Sequence, residues 1–99
     1  MKVKIQSIHF DADQKLLDYV NDKIEKLLHF DASITDSEVY LKLEKSNQHA
    51  NKVTEIRIHI PGKTLFAEEH RKSFEEAFDI SIEALIAQLK KHKEKLREK

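Results

Sequence analysis

The spacing of apolar residues predicts a strand and then a helix in the first third of the chain. Residues 2–7 alternate between apolar and polar and are rich in β-branched side chains, which favours a first strand. Apolar residues then recur at spacings of three and four, at Leu16, Leu17, Val20, Ile24, Leu27 and Leu28. This period predicts an amphipathic helix with Asp13 as its N-cap, ending near Leu28 or His29. Phe30 is then expected to cover the end of the core.

Three segments of period two follow and predict three more strands. Their inward positions are Val39, Leu41 and Leu43, then Thr54, Ile56, Ile58 and Ile60, then Leu65 and Ala67. The second strand begins near Asp36, and residues 45–51 have no large apolar side chain and are predicted to form a loop. The only proline and the only glycine form the pair Pro61-Gly62, which predicts a tight turn before a fourth strand over residues 64–69.

The last segment predicts a long helix capped by Ser73. Its apolar stripe is Phe74, Ala77, Phe78, Ser81, Ile82, Leu85, Ile86, Leu89 and Leu96. After Gln88 the composition changes, and six of the last ten residues are Lys or Arg. We expect the first part of this helix to anchor on the core and the last part to reach away from it.

The order β-α-β-β-β-α predicts an α+β fold. Every strand has one apolar face and each helix has one apolar stripe, which favours a four-stranded, mostly antiparallel sheet with both helices on one face. The first helix connects two strands as a crossover, so strands one and two are expected to be parallel neighbours. With 99 residues, the chain is predicted to be a single domain over residues 1–99.

The charges balance in number but not in position. Eighteen acidic and eighteen basic residues give a net charge of +0. The long helix is acidic at its beginning (Glu75, Glu76, Asp79, Glu83) and basic at its end. Two interpretations remain open: the charges complement the helix dipole and keep the helix solvated, or the basic end is a binding tail.

Composition argues against several kinds of chemistry. The chain has no cysteine, no apolar run of about 18 residues and no apolar leader, so we expect a cytoplasmic protein without a membrane partner. Its six histidines are scattered, and one glycine cannot form a phosphate-binding loop. We therefore expect no metal, no cofactor, no small-molecule substrate and no enzymatic activity. The nearest alternative, a small hydrolase using Glu69 and His70 beside Glu68, is disfavoured because this segment is typical of a solvated charge run.

Basic residues are the remaining candidates for function. On the first helix Lys15, Lys23 and Lys26 are accessible, and Lys23 lies at the edge of the apolar stripe. If the helices pack side by side, these lysines and the end of the long helix can share one face. Such a face would bind RNA by shape and charge. The alternative is that the lysines only keep the two helices soluble.

The same elements resemble the ribosome hibernation promoting factor family, which includes ribosome-associated inhibitor A and was once labelled sigma-54 modulation protein. The similarity lies in Val20-x-x-Lys23-Ile24-x-Lys26-Leu27, Val39-Tyr40-Leu41-Lys42-Leu43-Glu44-Lys45 and Ala87-Gln88-Leu89-Lys90-Lys91-His92-Lys93-Glu94-Lys95-Leu96. It covers nearly the whole chain and implies the short form of the family. It departs at Glu75, where an aromatic is usual, and at Ala87, where an arginine is common.

The resemblance implies a bacterial stationary-phase protein with a fold like that of double-stranded RNA-binding domains. Members bind the small ribosomal subunit in the messenger RNA channel near the decoding centre, overlapping the transfer RNA sites and blocking translation. By position, the residues that contact ribosomal RNA are Lys23, Lys26, Lys90, Lys91, Lys93 and Lys95. An alternative from another class is a protein-interaction module that binds an acidic protein such as a sigma factor. The oligomeric state is left open.

Overall fold

The computed structural model of the chain describes residues 2–44 and 50–97. Its elements are β1 (Lys2–Ile8), α1 (Gln14–Phe30), β2 (Asp36–Leu43), β3 (Lys52–Ile60), β4 (Lys63–Arg71) and α2 (Phe74–Arg97). The predicted order and fold class are confirmed. Most of the predicted loop, residues 45–49, and the last two residues of the basic tail lie outside the described residues.

The four strands form one sheet in the order β1-β2-β3-β4. One row across it runs from Ile5 through Val39 and Ile56 to Ala67. β1 pairs with β2 in parallel and the other two pairs are antiparallel, which confirms the crossover predicted from the first helix. Gly62 has φ 77° in the turn between β3 and β4, a conformation that glycine adopts without steric cost.

Both helices pack on one face of this sheet and run in the same direction. The fully buried side chains include Val20 and Ile24 of α1, Phe78, Leu85 and Leu89 of α2, and Val39, Leu41, Ile56, Ile58 and Leu65 of the sheet. Near the start of both helices the Tyr19 ring meets the Phe78 ring edge-on, with centroids 6.4 Å apart. Lys93 near the end of α2 reaches Asp31 just after α1. The C-terminal ends of α1 and α2 therefore lie at the same end of the molecule.

Both predicted helix caps are formed. The Asp13 carboxylate accepts a hydrogen bond of 2.8 Å from the backbone N–H of Leu16, and the Ser73 hydroxyl oxygen accepts one of 3.1 Å from the N–H of Glu76. Each cap satisfies an amide that has no partner within its helix and stabilises that helix by about 1 kcal/mol.

Two apolar side chains are more exposed than the sequence predicts. Phe30 is 55% exposed because α1 continues to this residue and turns its ring toward α2; Ile34, 2% exposed, packs in the core instead. Leu96 has the correct position around α2 but is 57% exposed, whereas Leu89 is 1% exposed. The last turns of α2 therefore project past the core, as expected for the reaching part of this helix.

The other face of the sheet carries no helix in the part of the chain that the structure describes. Side chains on this open face pair across strands: Lys42 Nζ forms an ion pair with Glu55 Oε1 at 2.8 Å, and His59 Nε2 is hydrogen-bonded to Glu38 Oε1 at 2.9 Å. The pKa of Glu38 is lowered mainly by the hydrogen bond that the Tyr40 hydroxyl donates to it, and next by its hydrogen bond with His59. This face is mostly polar and internally paired, and its one exposed phenylalanine, Phe66, lies under the Arg57 guanidinium, 5.7 Å from the ring centroid.

Candidate nucleic-acid interface

A groove of about 420 Å³ runs between the outer surfaces of the two parallel helices. Its lining residues are Lys23, Lys26, Leu27 and Phe30 of α1 and Ile82 and Ile86 of α2. The spacings of three and four bring these residues to the sides of the helices that face each other. The groove thus has an apolar floor and lysines on its α1 rim.

Lys23 is held by an ion pair within the groove. Its Nζ lies 2.6 Å from Asp79 Oδ1 and 4.8 Å from the centroid of the Tyr19 ring, and the Tyr19 hydroxyl donates to the same carboxylate at 2.8 Å. The hydrogen bond with Asp79 is the main cause of a raised pKa of Lys23. This lysine is therefore charged, but its charge is balanced locally and it ties α1 to α2.

Lys93 is also paired, at the other end of the groove. Its Nζ lies 3.5 Å from Oδ2 of Asp31, a carboxylate only 4% exposed, and 5.4 Å from the centroid of the Phe30 ring. Burial would raise the pKa of Asp31, but hydrogen bonds from the Ser33 hydroxyl and N–H and the charge of Lys93 outweigh it, so the pKa is lowered. Asp31 thus stays ionised and holds the ammonium of Lys93 over the Phe30 ring.

Lys26 and Lys90 add free charge to the same half of the groove. Both are exposed, and neither makes an ion pair with another described residue. Lys90 follows Ile86 by one helical turn, so it lies on the α1 side of α2. Together with Lys93 these two residues form what we call the groove cluster: Lys26, Lys90 and Lys93.

A second group of cations lies on the opposite flank of α2, beside the turn between β3 and β4. It surrounds a small cleft of about 130 Å³ lined by Lys63, Gln88, Lys91, His92 and Lys95. Gln88 fixes this flank against β4 because its Nε2 donates to the backbone carbonyl of Phe66 at 2.9 Å. We call Lys63, Lys91, His92 and Lys95 the hairpin cluster.

The structure therefore divides the sequence-predicted residues between two flanks of one helix. Lys23, Lys26, Lys90 and Lys93 border the groove, whereas Lys91 and Lys95 belong to the hairpin cluster. An exposed strip between them carries Glu83, Ala87 and Glu94. Lys63 was not predicted, and the only signal for it in the sequence is a lysine directly after the Pro61-Gly62 turn.

The described residues offer little for other chemistry. Among them there is no group of three or more His, Cys, Asp or Glu residues placed to hold a metal ion. His70 Nε2 lies 3.1 Å from Glu68, but Glu69 pairs with Arg71 at 3.2 Å and, as the strand neighbour of His70, points to the other face of the sheet. Glu69 and His70 do not form a joint acid/base site. Within the described residues, neither helix has an apolar stretch long enough to cross a membrane.

Comparison with known proteins gives a consistent result. Residues 3–97 match the family described as Sigma 54 modulation protein / S30EA ribosomal protein. The chain is 38% identical to the ribosome hibernation promoting factor of Pseudomonas putida, over 96% of this chain and 89% of that protein. It is 35% identical to the factor of the same name from Azotobacter vinelandii, over 96% and 85% of the two chains.

The fold also recurs in a solved structure. A ribosomal subunit interface protein from Coxiella burnetii superposes with a TM-score of 0.82 at 18% identity, covering 94% of this chain and 98% of the other. At this identity the likeness concerns the fold alone. It supports the arrangement of two parallel helices on one face of a four-stranded sheet.

Proposed function

The chain belongs to the Sigma 54 modulation protein / S30EA ribosomal protein family, and on this premise we propose that it acts in ribosome hibernation. The family consists of hibernation factors and not of enzymes. In the proposed mechanism the chain binds ribosomal RNA of the small subunit in the messenger RNA channel, near the decoding centre and the transfer RNA sites. Occupying that channel blocks translation in idle ribosomes.

The observation that supports this proposal is the pair of cationic clusters flanking the end of α2. An α-helix with its side chains is about 10 Å across, so the groove cluster and the hairpin cluster can meet two neighbouring stretches of RNA backbone at once. Lys26, Lys90, Lys91 and Lys95 are exposed and have no ion-pair partner among the described residues, so they are available to phosphates. Lys23 and Lys93 keep their carboxylate partners, so they hold the groove in shape more than they add unneutralised charge.

A net charge of +0 is compatible with this binding mode because several acids are paired or lie on another face, and of the described acids only Glu83 and Glu94 stand exposed in the strip between the two clusters. Asp79 and Asp31 are neutralised by lysines, while Glu55, paired with Lys42, and Glu38, hydrogen-bonded to His59, lie on the open face of the sheet. Affinity would then come mainly from neutralising phosphates and releasing counterions, which makes it depend steeply on salt.

The test is sedimentation of the purified chain with empty small ribosomal subunits at increasing salt. We expect cosedimentation at physiological salt and a linear fall of log K with log salt, with a slope of about 0.7 to 0.9 for each phosphate contact. Failure to cosediment at physiological salt would contradict the proposal. Complexes that survive complete digestion of the RNA would instead favour the protein-interaction alternative.

Replacing Ala87 by arginine is expected to strengthen binding. Ala87 is exposed and lies one turn before Lys90 and Lys91, in the strip between the two clusters. One more cation against the RNA is worth about 1 kcal/mol, or about fivefold in affinity, and should steepen the salt slope by about 0.7 to 0.9.

The matched control for this gain is Ala87→Gln, which adds a long polar side chain without charge. It should leave both affinity and salt slope unchanged. Equal effects of the two variants in the cosedimentation assay would mean that charge at this position does not face RNA.

A further inference from the structure

We infer that Phe30 is a stacking platform for an unpaired RNA base, so that the RNA bound in the groove includes a looped-out or single-stranded nucleotide. This inference rests on the proposed function and specifies which RNA feature the groove recognises. It assigns a role to an aromatic residue that the phosphate contacts leave unused.

The exposure of Phe30 is the first observation. Its side chain is 55% exposed at the end of α1, whereas Phe74 and Phe78 are 8% and 0% exposed and pack in the core. Phe10 also packs within the fold, where its ring stacks on that of Phe74 with centroids 4.7 Å apart. Phe30 therefore presents an aromatic surface to solvent that the core does not need.

The surroundings of the ring are the second observation. The ring lies in the groove of about 420 Å³, beside Leu27, Ile82 and Ile86. This volume falls in the range of pockets that hold small organic groups. A flat base lying on the ring would bury its faces against apolar surface while its edges stay in contact with water or side chains.

The charges around the ring are the third observation. Lys93 Nζ lies 5.4 Å from the ring centroid, and Lys26 lies on the same rim of the groove. The nearby carboxylates, Asp31 and Asp79, are already paired with lysines. An aromatic ring beside unpaired cations complements a nucleotide, whose base stacks while its phosphates meet Lys26 and Lys90.

A paired base cannot occupy this position. In an RNA duplex the base faces are stacked on one another and only the edges and the backbone are accessible. The hairpin cluster, whose one ring is the half-buried imidazole of His92, suits a regular backbone. The groove cluster, with Phe30 at its centre, suits a nucleotide that has left the stack.

The experiment compares two RNA hairpins with the same stem, one with a single bulged 2-aminopurine and one with this base paired. The wild-type chain should bind the bulged hairpin about tenfold more tightly and quench its fluorescence, since stacking on an aromatic side chain is worth about 1–3 kcal/mol per base. Phe30→Leu should lose both the preference and the quenching, while Phe30→Tyr should keep them. The salt slope should be the same for all three chains, because no charge changes.

Several results would overturn the inference. They are equal binding of the two hairpins by the wild-type chain, wild-type discrimination by Phe30→Leu, or loss of discrimination in Phe30→Tyr. Circular dichroism melting of each variant shows that a loss is not due to unfolding. If discrimination fails while the chain still cosediments with small subunits in a salt-dependent manner, the stacking role is wrong and the proposed function stands.

Discussion

Charge reversal of Lys90, Lys91 and Lys95 to glutamate is expected to abolish binding to small ribosomal subunits at physiological salt. Each lysine contributes about 1 kcal/mol against an anionic surface, so neutralising three corresponds to about a hundredfold loss. Replacing them by glutamate adds repulsion from the phosphates, which takes the expected loss beyond about a thousandfold. Lys93 is left in place because it neutralises the buried Asp31.

The matched control reverses three exposed lysines elsewhere, Lys4, Lys15 and Lys72. It changes the net charge by the same amount but leaves both clusters intact. Cosedimentation and fluorescence binding should show at most a modest change for this control. If both triple variants lost binding equally, total charge and not the placement of the clusters would determine affinity.

Asp31→Ala is expected to lower the free energy of unfolding by about 2–3 kcal/mol. The variant loses two hydrogen bonds from Ser33 to a carboxylate that is 4% exposed, and hydrogen bonds to charged groups are worth about 1.5–3 kcal/mol each. Removing the carboxylate also removes the free-energy cost of burying its charge, which offsets part of this loss. For a chain of this size the melting temperature should fall by about 10–20 °C, which thermal unfolding measures directly.

Asp22→Ala is the control for this substitution, since Asp22 is exposed on α1 and makes no ion pair with a described residue. It should change stability by less than about 0.5 kcal/mol. A similar effect of the two substitutions would show that the buried carboxylate does not stabilise the fold.

The contribution of Asp31 also has a defined pH dependence. Because its pKa is lowered on folding, the contribution is complete above the pKa of the unfolded chain and is lost as the pH falls through the lower pKa of the folded chain. Asp31→Asn should therefore lose less stability than the wild type on acidification, and urea unfolding across this range measures the difference. A constant difference between the two chains at all pH values would contradict the pKa shift.

The sequence was sufficient for the order of elements, the caps at Asp13 and Ser73, the Pro61-Gly62 turn and the parallel pairing of β1 with β2. Each of these follows from local patterns or from a topological rule. The strands extend a few residues further than predicted, as β4 does to Arg71, because cross-strand pairing continues where the apolar alternation has ended.

The site was less predictable than the fold. Periodicity gives the angle of each lysine around α2, but which flank faces α1 and which faces the hairpin depends on how both helices lie on the sheet. The pairing of Lys93 with Asp31 and the presence of Lys63 beside Lys91 and Lys95 join residues that are distant in the chain. The exposure of Phe30 likewise depends on where α1 ends. The RNA contacts of the predicted lysines remain predictions.

The polar face of the sheet makes the molecule convenient for spectroscopic labelling. The chain has no cysteine, so a thiol introduced at the exposed Gln6 would be unique and could carry a dye or spin probe. Side chains alternate between the two faces of a strand, and Gln6 follows the inward-facing Ile5, so it points away from the helices. The probe would therefore lie on the side of the sheet opposite both basic clusters. Such a reporter could follow docking and release in real time without occupying the surface that makes the contact.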